Sequence, residues 1–397
     1  MKYIILVPDG VADEPIASLG GKTPLEAAKT PNMDWLAQQG LSALVKIIPD
    51  GLPPGSDIGN MSVLGYDPAK GFTGRAPLEA ANLGINLADD ELAIRCNLVT
   101  VRDDVMIDYS AGHITVQDAS AIMATIAARL DDDRVKFVTG KSYRHITVLK
   151  TPEPAKFLKI KCTPPHDIMG QKIDQFLPKG EGSEVFRDYM ERSRPILADH
   201  PVNKARISRG EEPATMIWLW GQGSRPKLQS YKEKFGLDGS IISAVDLVNG
   251  IGHLIGLNVI NVPGATGYYD TNFKGKADYA LESLKTRDFV FVHVEATDEA
   301  GHNGDAAAKI KAVENFDKFV VGTVLGQFRN SMDVRILVTP DHPTPVGKRT
   351  HTRSPVPFVM YGKGVEPNGL RGYNEALASV AGIRFNSGEE MIKYFMK

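Results

Sequence analysis

Residues 334–351 read VRILVTPDHPTPVGKRTH. The apolar, largely β-branched VRILV has the composition of a buried strand. The segment after it delivers Asp341, His342 and His351, side chains that ligate divalent metals. Two further runs end in the same way. KYIILVPDG, at 2–10, sets Asp9 just past its apolar segment, and FVFVHVEATDEAGH, at 289–302, sets Asp298 and His302 past its own. In an open α/β sheet, groups beyond the carboxyl ends of the strands gather along the edge where ligands bind. Three strands, each followed by Asp or by Asp plus His, therefore predict one polynuclear metal site on an α/β fold.

The surrounding segments support that fold. From 240 to the end strands and helices alternate: a helix over 240–255, a strand over 257–262 and a helix over 276–284. Next come a strand over 289–294, a long helix with Ile310, Val313, Phe316, Val320 and Val324 as its buried stripe, and a strand over 334–338. VPFVMYG is a last strand before a C-terminal helix. This rhythm argues a mostly parallel sheet covered by helices on both faces. In the N-terminal part, 2–7 and 44–48 read as strands. Thr30-Pro31 opens a short helix that stops at Gly40, and the Pro- and Gly-rich run before Ser56 leads into another helix.

From 73 to 236 the pattern changes. Short strands over 93–99, 135–138, 145–149 and 216–220 mix with helices such as 116–130, and none of the carboxylate–histidine clusters lies there. The expectation is a discontinuous metal-binding domain, 1–72 with 237–397, carrying an inserted α+β substrate-binding domain over 73–236. The insert holds scattered cations, among them Arg75, Arg95, Arg144, Arg206, Arg209 and Arg225.

Composition limits the function classes. A chain of 397 residues, 42% hydrophobic and 24% charged, has ample interior for a large core. A net charge of −2 and a pI near 6.5 exert no general pull on nucleic acid or anionic membrane. Two cysteines, Cys96 and Cys162, make no disulfide framework, and the chain opens at once on a strand without a signal-peptide pattern. The most apolar long run, 241–262, is interrupted by Asp246, Asn249, His253 and Asn258. The expectation is a soluble cytoplasmic protein without nucleic-acid or membrane partners, and the sequence leaves its oligomeric state open.

Asp298 and His302, four residues apart, share one face of a helical turn and can hold one ion. Six Asp and His ligands exceed what a single tetrahedral site needs, so two ions are expected. Mixed oxygen and nitrogen donors without thiolate suit Mn2+ or Zn2+, with Mg2+ also compatible. A metal pair stabilises both the attacking and the leaving oxygen in phosphoryl transfer, and one metal can activate a serine hydroxyl. Ser56, at the start of its helix, reads either as a simple cap or as a nucleophile whose phosphoryl group the helix terminus would favour.

PDG at 8–10, GSDIGNMSVLGYDP at 55–68, ATDEAGHNGD, and TPDHPTP followed by THT resemble the alkaline-phosphatase superfamily. More narrowly they resemble cofactor-independent phosphoglycerate mutases of the archaeal type. HPVNKARI, IWLWGQG and VPGATGYYDTN extend the resemblance over essentially the whole chain. The resemblance implies a nucleophilic Ser56 that is phosphorylated in turnover. It implies one metal on Asp9, Ser56, Asp341 and His342 and a second on Asp298, His302 and His351. It also implies interconversion of 3- and 2-phosphoglycerate, a small phosphorylated metabolite, with no bisphosphoglycerate required.

In the inserted domain the best matches to the family's substrate residues are His113 in DYSAGHIT and Arg144 in SYRHIT, with Arg225 a further candidate. His113 would pass a proton and Arg144 would grip a carboxylate or phosphate, unless the first only caps a turn and the second only pairs with a local carboxylate. Closure of the insert would keep water from a phosphoserine. DYSAGHIT and GKSYRHIT also resemble a bacterial branch of the family whose members act as homoserine kinase-like phosphotransferases. That activity, or a phosphatase on the same two-metal scaffold, is the alternative reading.

Overall fold

In the computed structural model, which describes residues 1–331 and 333–397, the chain separates into two units, Met1–Phe72 with Lys227–Lys397, and Thr73–Pro226. The chain rejoins the first unit at Lys227 rather than at 237. Segment 227–236 is tied there by its own contacts. Tyr66 donates its hydroxyl to the Gln229 carbonyl (2.8 Å), and the Tyr231 ring stacks on Phe289 at 4.4 Å between centroids. Among the described residues no helix is long and apolar enough to cross a membrane.

In chain order the strands are β1 (Lys2–Pro8), β2 (Leu41–Val45), β3 (Glu91–Arg102), β4 (Val105–Asp108), β5 (Val135–Lys141), β6 (Arg144–Lys150) and β7 (Met216–Ser224). They continue as β8 (Gly239–Ile242), β9 (Asn258–Val259), β10 (Phe289–Val294), β11 (Val334–Val338), β12 (Val356–Gly362) and β13 (Ile383–Phe385). The first unit holds a sheet in the order β13-β2-β12-β11-β1-β10-β8-β9. Only β12 runs antiparallel to its neighbours β11 and β2; the other pairings are parallel.

Side chains alternate across a strand, and β1 shows both faces covered. Ile4 and Leu6 enter a core with Met33, Ala277 and Phe316, from helices Pro31–Gln39 and Phe273–Ser283 and the helical stretch 306–328. Tyr3, on the opposite face, meets Phe395 of helix Gly388–Phe395 edge-on. The second unit is a separate antiparallel sheet, β4-β3-β6-β5 with β7 on the other flank of β3. It packs against helices Val116–Leu130 and Ser183–Ala198 around Trp218 and Phe186. The mostly parallel α/β sheet and the inserted α+β unit agree with the sequence reading.

Several boundaries moved. The helix expected over 240–255 begins only at Asp246, because Ile241 and Ile242 instead pair with Phe291 and Val292 as strand β8. A short β-branched apolar run fits a buried strand as well as a helix, and only its neighbour in the sheet decides. The strand expected over 257–262 is confined to β9, and that over 44–48 lies at Leu41–Val45. The long helix contains a π-helical turn, Phe316–Val321. Val313, Phe316, Val320 and Val324 are buried as expected, but Ile310 is half-buried and its neighbour Lys309 points inward. After β12 the chain adds helix Glu375–Ala381 and β13 before its last helix.

Phe316 is fully enclosed where that helical stretch meets the sheet. Phe316→Ala is expected to lower stability by about 3–5 kcal/mol, read as a shift of the urea unfolding midpoint.

Candidate metal centre

Strands β11, β1 and β10 are adjacent and parallel, so their carboxyl ends lie side by side, with Leu6 level with both Val338 and Val292. Asp341 follows β11 and Asp9 follows β1, and Asp298 sits in the first turn of helix Ala296–Asn303 behind β10. Backbone bonds lock the three ends together. Asp9 N donates to Val294 O (3.0 Å) and the Thr297 hydroxyl donates to Asp9 O. Gly10 N and His342 N both donate to Asp341 Oδ1, at 3.3 and 3.1 Å. Gly10 has φ +59°, and a Cβ there would stand 2.4 Å from Asp298 Oδ1. Glycine alone fits both the left-handed backbone and the close approach.

Ser56 opens helix Ser56–Val63, in which the Ile58 N–H is held by Asp57 Oδ1 (2.9 Å). Ser56 Oγ lies 3.4 Å from Asp9 Oδ2 and 3.2 Å from His342 Nε2. The helix comes this close because Gly59 lies against the Asp341 backbone, where a Cβ would be 2.4 Å from the carbonyl oxygen. One turn on, Asn60 donates one amide proton to Ser56 O (2.8 Å) and the other to Asp341 Oδ2 (2.7 Å).

Asp298 Oδ2 is 3.2 Å from His302 Nε2 and its Oδ1 is 3.6 Å from His351 Nε2, and the two imidazole Nε2 atoms are 2.9 Å apart. The other nitrogens have partners that set their protons. His302 Nδ1 faces the Arg349 carbonyl (3.1 Å), an acceptor only, so Nδ1 carries hydrogen. The Thr344 hydroxyl donates to Asp298 Oδ1 and so must accept from His342 Nδ1 (3.2 Å). His342 Nε2 is left with its lone pair, 3.3 Å from Asp9 Oδ1 and 3.5 Å from Asp341 Oδ2.

Acceptors facing acceptors in a dry pocket are relieved by a proton or a cation between them. Asp9 Oδ1 is buried and makes no hydrogen bond, as a ligand atom would. Ligand atoms of Asp9, His293 and Asp341 lie within 4.8 Å of one another, and so do those of Asp298, His342 and His351. The residues present therefore fit divalent cations, and His342 lies close to both groups. Electrostatics agree. Burial, then the nearby Asp341 and Asp298 carboxylates, pushes Asp9 well above the usual carboxylate range. Burial also opposes ionisation of Asp298, but hydrogen bonds from His302 and His351 hold it well below that range. His302, bonded to Asp298, is raised to about 9.

All seven first-unit residues picked out in the sequence, Asp9, Ser56, Asp298, His302, Asp341, His342 and His351, meet here. His293, on β10, was not picked out, although its ring is fully buried with Nε2 3.1 Å from Asp9 Oδ2. Its signal was a polar residue between Val292 and Val294 in a strand buried on both faces. Two lysines carry no comparable signal. Lys276 is buried and donates to His293 O (2.8 Å). Lys309 is buried and donates to Asp13 Oδ2 and Thr344 O, both at 2.8 Å, which anchors the loop that holds Thr344.

In the second unit, Ser142 donates to Ile114 O (2.6 Å) and Tyr109 meets Tyr143 edge-on, so the turn of His113 adjoins the hairpin of Arg144. His113 itself is exposed, at φ +49°. Arg95 lies 4.0 Å over the Trp220 ring and bonds Glu79 Oε2 (3.0 Å). Burial lowers its pKa against the opposing charge of Glu79, and Arg144, paired with Asn97, lies on the same face of the sheet as Arg95. Arg225 is exposed and reaches the Leu87 carbonyl at 3.5 Å.

A doubly covered α/β sheet with a serine set among carboxylate and imidazole ligands defines the class: an α/β protein equipped for metal-assisted chemistry at a hydroxyl. The family model for 2,3-bisphosphoglycerate-independent phosphoglycerate mutase matches residues 37–203. A protein of that name from Methanosarcina acetivorans is 48% identical over 399 residues, covering 100% of both chains. A solved structure of a cofactor-independent phosphoglycerate mutase from Thermoplasma acidophilum superposes with a TM-score of 0.70 at 29% identity, covering 100% of this chain and 99% of that one. A Pyrococcus horikoshii protein superposes with a TM-score of 0.85, also at 29% identity, covering 100% and 96%. The chain belongs to the 2,3-bisphosphoglycerate-independent phosphoglycerate mutase family.

Lys309→Met would strand the Asp13 carboxylate in the interior, and it is expected to cost about 3–5 kcal/mol in urea unfolding. A second expectation concerns pH. In cation-free protein, the raised His302 value means that its pairing with Asp298 stabilises the fold fully below 6.5 and is lost as pH rises through about 9. The depressed Asp298 value sets the acid limit, with stability lost as pH falls below 3.8. A cation needs neutral His302, so proton and metal compete there. The thermal midpoint of chelator-treated protein should fall between roughly pH 7 and 9 while Mg2+ affinity, by isothermal titration, rises.

Proposed function

We propose that this chain interconverts 3-phosphoglycerate and 2-phosphoglycerate by phosphoryl transfer through a phosphoserine at Ser56. The observation that carries the reading is the position of the Ser56 hydroxyl, at a helix N-terminus and within 3.4 Å of both Asp9 and His342. The full-length likeness to named mutases supports it. Asp9, Asp341 and His342 would hold one divalent cation with Ser56, and Asp298, His302 and His351 a second, with His342 near both. Mn2+ and Zn2+ suit these donors best, and Mg2+ is compatible. Bound there, such ions lower the pKa of a coordinated hydroxyl and offset the charge of a transferring phosphoryl group.

The chain's own groups do the rest. The N-terminus of helix Ser56–Val63 faces the nucleophile, and its dipole favours the charge of an arriving phosphoryl group. Asn60 holds the Ser56 carbonyl, so the nucleophile keeps its place as the phosphoryl group arrives and leaves. His342, fixed by Thr344 with its Nε2 lone pair outward, would serve beside Ser56 as a ligand. Of the second unit, we assign recognition of the acid's carboxylate to Arg144, through the paired donors that a guanidinium group offers. We keep His113 as the proton carrier for the glycerate oxygen, with Arg225 an accessory cation.

Ser56→Ala tests the reading. With Mn2+ and 3-phosphoglycerate, and no bisphosphoglycerate, the wild-type chain should form 2-phosphoglycerate, followed through added enolase. The variant should lose on the order of 10^3-fold or more in rate while still binding its metals. A variant that keeps its rate refutes the phosphoserine.

A further inference from the structure

His293 is held from three sides. Lys276 donates to its backbone carbonyl (2.8 Å), the Ser243 hydroxyl lies 3.2 Å from Nδ1, and Asp9 Oδ2 lies 3.1 Å from Nε2. The ring is fully buried, and the partners of its two nitrogens place its ring hydrogen. Two observations decide which nitrogen carries it. Ser243 Oγ accepts the Val245 N–H (3.0 Å) and has its own proton to donate, with Nδ1 an acceptor within reach. On the other side, Asn60 Nδ2 is 3.4 Å from Nε2, but both of its protons are committed to closer partners, Ser56 O and Asp341 Oδ2. Asp9 Oδ2, which as the carboxylate ligand of a cation can only accept, faces Nε2 at 3.1 Å, so Nε2 carries the hydrogen and points it at Asp9.

We propose that His293 is a positioning residue that aims Asp9 at its cation: its Nε2–H binds Asp9 Oδ2, so that Oδ1 becomes the metal-facing oxygen. The pattern on Asp9 matches this division of labour. Oδ2 has His293 and the Ser56 hydroxyl beside it, whereas Oδ1 is buried without a hydrogen bond and faces the His342 lone pair. The carboxylate cannot swing away, because Asp9 is clamped on the main chain by Val294 and Thr297 and on the side chain by His293. The chain Ser243–His293–Asp9 is the mirror image of the usual arrangement in which a carboxylate orients a ligating histidine. Here a histidine orients a ligating carboxylate.

This inference rests on the reading of Asp9 as a cation ligand, and one experiment separates the two. The full chain, freed of metal, is titrated with Mn2+ while free Mn2+ is followed by electron paramagnetic resonance. The wild-type chain should bind two ions. His293→Ala should weaken one of them on the order of 10–100-fold and leave the other within about threefold. His293→Gln, which can place an N–H near the position of Nε2, should recover most of the loss. Ser243→Ala, one step further out, should weaken the same ion by several-fold and gives the reading should His293→Ala fail to fold. Unchanged affinities in His293→Ala and Ser243→Ala overturn the positioning role. So does equal weakening of both ions, which marks a general structural defect, or a Gln variant no better than Ala, which marks the imidazole itself as a ligand. A wild-type chain that binds no Mn2+ overturns the proposed function and this inference together.

Discussion

Three carboxylates, Asp9, Asp298 and Asp341, stand at the ends of three adjacent strands in a buried pocket, and the surrounding structure manages their repulsion. Carboxylate atoms within 4.8 Å of each other, as in Asp9 and Asp341, repel by roughly 3–4 kcal/mol even at an effective dielectric constant of about 20. The neighbouring groups offset part of this. Backbone N–H groups of Gly10 and His342 and the amide of Asn60 converge on Asp341. His302 and His351 set their Nε2 atoms 3.2 and 3.6 Å from the Asp298 oxygens. Lys276 and Lys309 place buried positive charge behind the strands, one on the His293 carbonyl and one beside Thr344. The compensation is incomplete at Asp9, which burial and its like-charged neighbours push toward the neutral form. A cation held among these groups would relieve that residual imbalance.

The geometry is held by residues that touch no cation. Thr344 links Asp298 to His342, and Arg349 offers its carbonyl to His302 from a left-handed backbone, φ +55°. Each such contact sets which nitrogen of an imidazole is free, so the donor set is oriented before anything binds. Gly10 and Gly59 contribute by what they lack, since a Cβ at either would collide with Asp298 or Asp341.

Much of this was readable from the chain alone. A strand that ends in Asp, repeated three times, announced both the sheet and the convergence of ligands, because parallel neighbours put equivalent ends side by side. The misreadings have a common physical source. Ile241 and Ile242 could be strand or helix until Phe291 and Val292 paired with them. His293 was hidden inside an apolar strand, and Lys276 and Lys309 inside helices, where a polar side chain reveals its direction only once the partner element is in place. The second unit was the least legible. Its arginines carry no spacing rule, and Arg95 and Arg144 share a sheet face only through the pairing of β3 with β6.

The direction of β12 has a consequence of its own. A strand parallel to β11 would need a crossover that carries the chain back to the far edge of the sheet before it re-enters. An antiparallel β12 lets the chain turn round where it stands, and the connection 339–355 never leaves the ligand-bearing edge. Asp341, His342, Thr344, Arg349 and His351 can thus all be drawn from one excursion. The reversed strand releases that loop from any duty of transport, and its length can be set by the chemistry alone.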